Sequence, residues 1–543
     1  MKVLLINPPV CPRDDSPIFV SEPLAFACLE PIVSRRGHIV EVFDPLAEAI
    51  DVMTSHRNGF RQGLTNEQIN IRLKDYSPDV IGITCPFTEH FNDAAEVAEI
   101  CKSNFPNVPV IIGGTHATMH HSEVIEEFPA FDYAVRGEGE ETFVKLLDTI
   151  NNDLSPEGIL GVTYRDGNQV VVNPYPSLIK DLDLLPMPNR KILKMKTYFD
   201  HKKKYGLKMG GNVATVITSR GCPYECTFCN VKDIWGGREG DGSSGRNWRI
   251  FSVERVIKEL VELYHDFGVR EVSISDEQFA LRPKRVHELM DAIIQKKLKG
   301  LYFTISSGLS VWFADIELLQ KMKDAGMYRV RFPLETGSPD ILKYMKKTMI
   351  NLDEAKKLIS AAVRMGLWTE GNFILGTPYE TKKNIEETKD YILSSDIDFP
   401  YVFMALSLPG TSMTKDAGNE GLIALSPSYY EIAYTSPPGS LVHTVEELKA
   451  FQGEILKAFL KKQSLMLLNP IKTFIYLYPR VNSISGLKYF LRMAMSTVVT
   501  IWGDFKKDQR GPAKVTAAVN HLPHRNSTPV LLERVMSYFG NTR

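Results

Sequence analysis

Cys222, Cys226 and Cys229 lie together in the stretch Arg220–Asn230, and no cysteine follows Cys229. The gaps of three and then two residues let the thiolates hold three corners of a cubic iron–sulfur cluster and leave the fourth iron open. A tetrahedral zinc site or an electron-transfer cluster wants a fourth ligand. A zinc knuckle completed by a distant histidine, or a chance grouping, is the alternative at this level. An open iron makes the loop a place for chemistry.

The same spacing, with the aromatic Phe228 before the third cysteine, is similar to the signature of the radical S-adenosylmethionine (radical SAM) superfamily. The resemblance implies a 4Fe–4S cluster whose open iron binds SAM through its amino and carboxylate groups. It implies one-electron cleavage of SAM to a 5′-deoxyadenosyl radical, which takes a hydrogen atom from substrate. It also implies a one-electron reductant such as flavodoxin or ferredoxin.

The chain has 543 residues, room for two or three domains. Its 64 basic residues balance 65 acidic ones, and a net charge of −1 argues against a nucleic-acid substrate. Met1–Pro9 reads as a first strand and lacks the long apolar core and cleavage site of a signal peptide. No apolar run reaches ~18 residues, the length of a membrane-spanning helix. The seven cysteines are unevenly spaced, unlike a disulfide framework. A reducing, cytoplasmic setting suits both free thiols and an oxygen-sensitive cluster.

A reactive loop needs strands to hold it, and the chain supplies two series of them. In residues 1–150 the apolar runs Lys2–Asn7, His38–Asp44, Asp79–Cys85, Val108–Gly114 and Tyr133–Arg136 alternate with helical stretches such as Glu22–Arg36. That alternation predicts an α/β fold, a doubly wound parallel sheet with its ligand site at the C-terminal strand ends. The order resembles the cobalamin-binding domain that precedes the barrel in a large radical SAM branch. The best matches are Gly113-Gly114-Thr115-His116 and Arg136-Gly137-Glu138-Gly139-Glu140-Glu141-Thr142. The resemblance implies that Gly113, Gly114, Thr115, Gly137, Glu138 and Gly139 lie against a corrin ring or its nucleotide tail, with Thr84 and Thr88 lining the tail pocket. Base-off cobalamin proteins take a lower axial histidine from an Asp-x-His-x-x-Gly loop. Here Pro45 and Leu46 follow Asp44, so a bound cobalamin would lack that ligand. His116, His120 and His121 read as a solvated helix start.

Residues 151–205 read as a connector. It holds a hairpin turning at Asp166-Gly167, the prolines Pro186 and Pro188, and a basic stretch, Lys191–Lys204, that marks an exposed linker. Residues 206–415 read as a partial (β/α)6 TIM-like barrel. Its strands are Val213–Thr218, Glu271–Ser275, Leu301–Ser307, Tyr328–Leu334, Asn372–Leu375 and Pro400–Leu408, the last followed by a Pro409-Gly410-Thr411 turn. The cysteine loop follows the first strand, at the end where parallel barrels keep their chemistry. Trp235–Asn247 reads as a mobile glycine-rich loop, and Ser252–Phe267 as an amphipathic helix capped by Ser252. The resemblance implies Asp276 and Glu277 near the SAM ammonium, Glu335 at the ribose, Ile374 and Gly376 at the adenine, and Phe228 within the cofactor site. The adenine pattern Gly-x-Ile-x-Gly-x-x-Glu is imperfect: Asn372 replaces its first glycine and Glu380 falls one place late. Arg249 and Arg331 read as solvated or ion-paired.

Residues 416–543 read as a C-terminal helical region, a cap followed by a basic tail. Ile471–Tyr478 and Leu487–Trp502 are apolar, with Arg480, Lys488 and Arg492 beside them. This pattern fits packing over the barrel mouth or a helix lying on a membrane surface. The chain is thus similar to cobalamin-binding radical SAM proteins over roughly residues 1–415. The resemblance implies a methyltransferase that carries a methyl through cobalamin to an unactivated carbon, less often phosphorus, of a small-molecule, lipid or natural-product substrate. Radical cyclisation or rearrangement using cobalamin without methyl transfer is the alternative, and a non-enzymatic corrin sensor the third reading. A methylthiotransferase would need a second cluster, for which Cys11, Cys28, Cys85 and Cys101 form no close motif.

Overall fold

A computed structural model describes residues 1–494 apart from 13–16, 58, 236–246, 407, 409, 420–439, 441 and 482. The expected mobile loop therefore lies almost wholly outside the described residues, as do parts of the 409–411 turn and of Leu487–Trp502 and the whole basic tail.

The N-terminal strands are β1 (Lys2–Ile6), β2 (Ile39–Phe43), β3 (Met53–His56), β4 (Gly59–Gln62), β5 (Val80–Thr84), β6 (Val110–Gly113), β7 (Tyr133–Val135), β8 (Val162–Asp166) and β9 (Gln169–Val172). Seven of them form one sheet in the order β2-β1-β5-β6-β7-β8-β9. The pairs from β2 to β7 are parallel, as the β–α alternation requires. Helices cover both faces, so β1 is apolar on both. Val3 and Leu5 join a core with Phe26 and Phe143, while Leu4 and Ile6 join one with Phe91 and Ile112. The antiparallel hairpin β3–β4 is an element the sequence reading left unassigned.

The connector differs from an exposed linker. The hairpin expected at Asp166-Gly167 forms, and β8 pairs antiparallel with β7, so it extends the sheet. The basic stretch becomes the helix Met195–Tyr205, with Tyr198, Phe199 and Lys202 buried. Lys202 pairs there with the buried Glu22. The other Glu22 oxygen accepts from the Thr215 amide at 2.7 Å, tying the first domain to the first barrel strand.

The barrel strands are β10 (Val213–Val216), β13 (Glu271–Ile274), β14 (Tyr302–Ile305), β15 (Arg329–Glu335), β16 (Trp368–Leu375) and β17 (Phe399–Met404), with the short pair β11 (Ser219–Arg220) and β12 (Arg249–Ile250). They form two parallel sheets, β10-β13-β14 and β15-β16-β17. A bridge from Phe303 to Met327 and a 2.7 Å bond from the Leu309 amide to the Arg331 carbonyl join the two halves. Phe332, Leu334, Phe373 and Leu375 are buried on one face. Strand alternation leaves Arg331, Asn372 and Ile374 on the other.

The helix Val445–Leu467 runs down the edge of β17. Leu448 sits beside Gly376 at the C-terminal end of β16, and Gln463 reaches the Ile397 carbonyl before β17 at 3.5 Å. The helix Pro470–Val481 then crosses the floor of the barrel. Arg480 is buried there, bonded to Asp398 and to the Leu367 carbonyl, both at 3.0 Å. The described C-terminal helices thus brace an edge and the floor, and Arg480 belongs to no basic surface. Replacing Arg480 by Met leaves Asp398 as an unpaired buried charge and should cost about 3 kcal/mol in urea unfolding. The Asp398→Asn change in that background should recover part of the loss.

Candidate active site

The cysteine loop leaves and re-enters the barrel at one point. β11 and β12 pair antiparallel, Arg220 opposite Arg249, so residues 221–248 form an excursion closed at its base. Gly221 has φ +88°, and a Cβ there would collide with the Asn247 carbonyl. The loop is stitched down by Thr227, whose amide donates to the Met345 carbonyl at 3.4 Å and whose carbonyl accepts from the Met413 amide at 2.9 Å. Cys222, Cys226 and Cys229 are half-buried and free. Burial pushes each thiol up to about 11.

The acidic residues beyond β13 divide their work. Asp276 is fully buried, and both its oxygens are taken: the Thr218 amide and hydroxyl donate at 2.6 Å and the Ser219 hydroxyl at 2.7 Å. It anchors the root of the cysteine loop, and its burial beneath that loop sets it apart from the half-buried Glu277. Glu277 accepts from the Gly221 amide at 3.1 Å and from Trp235 Nε1 at 3.2 Å. Glu335 has φ +67° and is buried against Lys347 at 3.0 Å. Burial disfavours the charge on Lys347, but Glu335 and then Cys226 outweigh it and its pKa is raised. The ammonium also lies 5.9 Å from the Phe228 ring and 5.4 Å from Trp312. Lys347 is a functional candidate the sequence reading missed, because only the fold returns it to the cysteines. Ile374 is the penultimate residue of β16 and Gly376 directly follows the strand, and Glu380 folds back to accept from the Gly376 amide. The misplaced spacing is thus absorbed by the turn.

A predominantly apolar cleft of about 1030 Å³, including its open mouth, lies over the C-terminal ends of β1, β5, β6 and β7. Thr84, Gly113, Gly114, Gly137, Glu138 and Gly139 all line it. Thr88 and Thr115 do not: Thr88 bonds His116 Nδ1 at 3.2 Å, and Thr115 opens a short helix. A Cβ on Gly113 would enter open space, whereas one on Gly114 would meet the Cys85 carbonyl at 2.7 Å. No histidine is among the described residues lining the cleft. Leu46 packs with Val10 and Tyr198 instead. His116 is fully buried, stacked on Phe91 at 4.2 Å, so these histidines are not a solvated helix start. Burial holds the His116 pKa well below the usual imidazole value.

The far wall of the cleft belongs to the barrel: Ile217, Arg220 and Trp235. Glu138 accepts from Arg220 and from Arg249, each at 2.6 Å, and Glu140 takes the second Arg220 nitrogen. The Glu138 carboxylate is therefore committed to the barrel. Burial opposes the Arg220 charge, but Glu140 and Glu138 more than offset it and raise its pKa.

Comparison with known proteins agrees with this geometry. The model of the radical SAM superfamily matches residues 216–392, and that of the B12 binding domain residues 19–147. The uncharacterized methyltransferase PH0819 of Pyrococcus horikoshii is 32% identical over 464 residues, covering 85% of this chain and 91% of that protein. The cytidylyl-2-hydroxyethylphosphonate methyltransferase of Streptomyces wedmorensis is 26% identical over 465 residues, covering 80% and 84%. The solved structure of the cobalamin-dependent SAM radical enzyme OxsB, with aqua-cobalamin and SAM bound, superposes with a TM-score of 0.64 at 17% identity, covering 99% of this chain and 80% of that one. The chain belongs to the cobalamin-binding radical SAM superfamily and is an enzyme. Its cofactors are a 4Fe–4S cluster, SAM and cobalamin.

Glu138→Gln should weaken the apo protein by about 3 kcal/mol, since it removes the carboxylate charge that Arg220 and Arg249 share in a buried site. Chemical unfolding of the variant measures this, and a loss within error would mean the network is not holding the domains together. The absence of histidine from the cleft lining makes a second expectation. In the cob(II)alamin form, labelling all histidines with nitrogen-15 should leave the electron paramagnetic resonance spectrum unchanged.

Proposed function

We propose that this enzyme moves a methyl group from SAM, by way of cobalamin, to an unactivated carbon or phosphorus of a small-molecule, lipid or natural-product substrate. One observation carries the reading. The glycine-lined cleft of the N-terminal domain shares a wall with the root of the cysteine loop, because Arg220 lines the cleft and lies two positions before Cys222. In this reading residues 1–150 hold cobalamin and residues 206–415 hold the cluster and SAM. When bound, these groups supply a methyl carrier and a hydrogen-abstracting radical side by side.

The chain's own residues bind and orient. Cys222, Cys226 and Cys229 hold the cluster. Lys347 sets a cation beside Cys226 and Cys229, where thiolate ligation gathers negative charge. Glu277, Glu335, Ile374 and Gly376 surround SAM, and Phe228 flanks it. Asp276 acts one layer out, fixing Thr218 and Ser219 beneath the loop. Trp235 and Ile217 keep water from the shared wall. A reducing, cytoplasmic setting and a small one-electron donor such as flavodoxin or ferredoxin complete the system.

The test uses protein reconstituted anaerobically with iron, sulfide and hydroxocobalamin, given methyl-deuterated SAM, reductant and host metabolite extract. Mass spectrometry should find a product carrying the labelled methyl. Gly113→Phe fills the cleft without backbone strain. It should lose cobalamin and labelled product while 5′-deoxyadenosine still forms. Labelled product from a folded variant devoid of cobalamin would overturn the assignment. An unmethylated, ring-closed product would support the cyclase reading instead.

A further inference from the structure

The floor of the barrel carries an apolar surface that neither cofactor site uses. On the helix Pro470–Val481, Ile471, Phe474, Ile475 and Tyr478 are 61–70% exposed. Their spacing places them on one helix face. The other face is spent on the floor, where Tyr476 and Arg480 bond Asp398. Leu468 before this helix and Ile484 after it are 78% and 77% exposed. A helix on a soluble protein ordinarily turns its polar face outward, and an apolar patch of this kind marks an interaction site.

The charge pattern names the partner. Residues 461–494 contain six lysines and arginines and no aspartate or glutamate. Of the six, Arg480 is buried, while Lys461, Lys472, Lys488 and Arg492 are exposed. A protein partner is usually met by rim charges of both signs. Here the segment offers exposed cations on flexible stems and, within the same stretch of chain, large exposed aliphatic and aromatic groups, the composition of a helix lying in a lipid interface. Among the described residues no helix is long and apolar enough to cross a membrane. We infer that the floor of the barrel docks on an anionic phospholipid surface. The floor lies at the N-terminal ends of β16 and β17, opposite the mouth that holds the cysteine loop. Docking leaves the active site open, and the inference does not depend on what is methylated.

The experiment is sedimentation of the full-length, cluster-reconstituted protein with extruded vesicles, without substrate. Vesicles of phosphatidylglycerol and phosphatidylethanolamine should carry the protein down. Phosphatidylcholine vesicles should bind it at least about tenfold more weakly, as electrostatic attraction to anionic lipid requires. About 0.5 M salt should release much of the bound protein. The double variant Phe474→Ser/Ile475→Ser should lose about tenfold in binding. It should keep its circular dichroism and its formation of 5′-deoxyadenosine, because both positions are exposed and remote from the mouth. Equal binding to both vesicle types, or binding untouched by the double variant, would overturn the inference. So would a failure to sediment, which would mean that residues 495–543 or a second copy cover the face. A dimer in light scattering that the double variant dissociates would assign the face to self-association.

Discussion

Glu138 lies between Arg220 and Arg249, and Glu140 completes the pairing on Arg220. These four side chains come from two domains and are nearly withdrawn from water. Such a pairing is costly to assemble and more costly to break halfway, because each partner left behind is a buried charge. The two arginines are themselves opposite one another in the β11–β12 ladder. One turn of the N-terminal domain therefore grips both ends of the cysteine excursion. The cleft and the cysteine loop cannot shift relative to each other without exposing that network.

A second set of interactions holds the loop from below. Asp276 ties Thr218 and Ser219, Glu277 ties Gly221, and Arg285 donates to the carbonyls of Thr218 and Phe251 at 2.8 and 3.0 Å. Asp276 and Arg285 are thus charged and buried, while the cysteines stay partly open. That division is sensible chemistry. A cluster site needs a fixed frame and an accessible corner, and oriented charges in a dry setting hold a frame more firmly than apolar contacts alone.

The barrel is closed by elements outside its six strands. Glu22 and Lys202 fasten β10 to the first domain, and the helix Val445–Leu467 covers the free edge of β17. The helix beneath the floor uses Arg480 and Asp398 for the same purpose. An open sheet of this kind has two edges to protect, and each is covered by a different part of the chain. That arrangement frees the mouth for cofactors and substrate.

The main parallel strands of both domains and the order of the cysteine, glycine and strand-end motifs were legible in the sequence, because hydrophobic period and loop spacing are local properties. The same is true of the Ser252 cap, whose hydroxyl accepts from the Arg255 amide at 3.2 Å. Long-range pairing was not legible. Glu138 read as a cofactor contact, Arg249 as solvated or ion-paired with no partner named, and Lys191–Lys204 as a linker, since nothing in a sequence says which distant charge will neutralise a buried one. Asp276 and Lys347 differ for the same reason: one is bonded to Thr218 and Ser219 beneath the loop, the other is carried to the cysteines from more than a hundred residues away. The C-terminal helices were recognisable as helices, yet whether they cover the mouth or the floor depends on packing against β17 and Asp398. The sequence by itself determined the chemistry available and the elements that carry it. Tertiary structure decided which charges meet, because burial and partnership exist only once the chain has closed on itself.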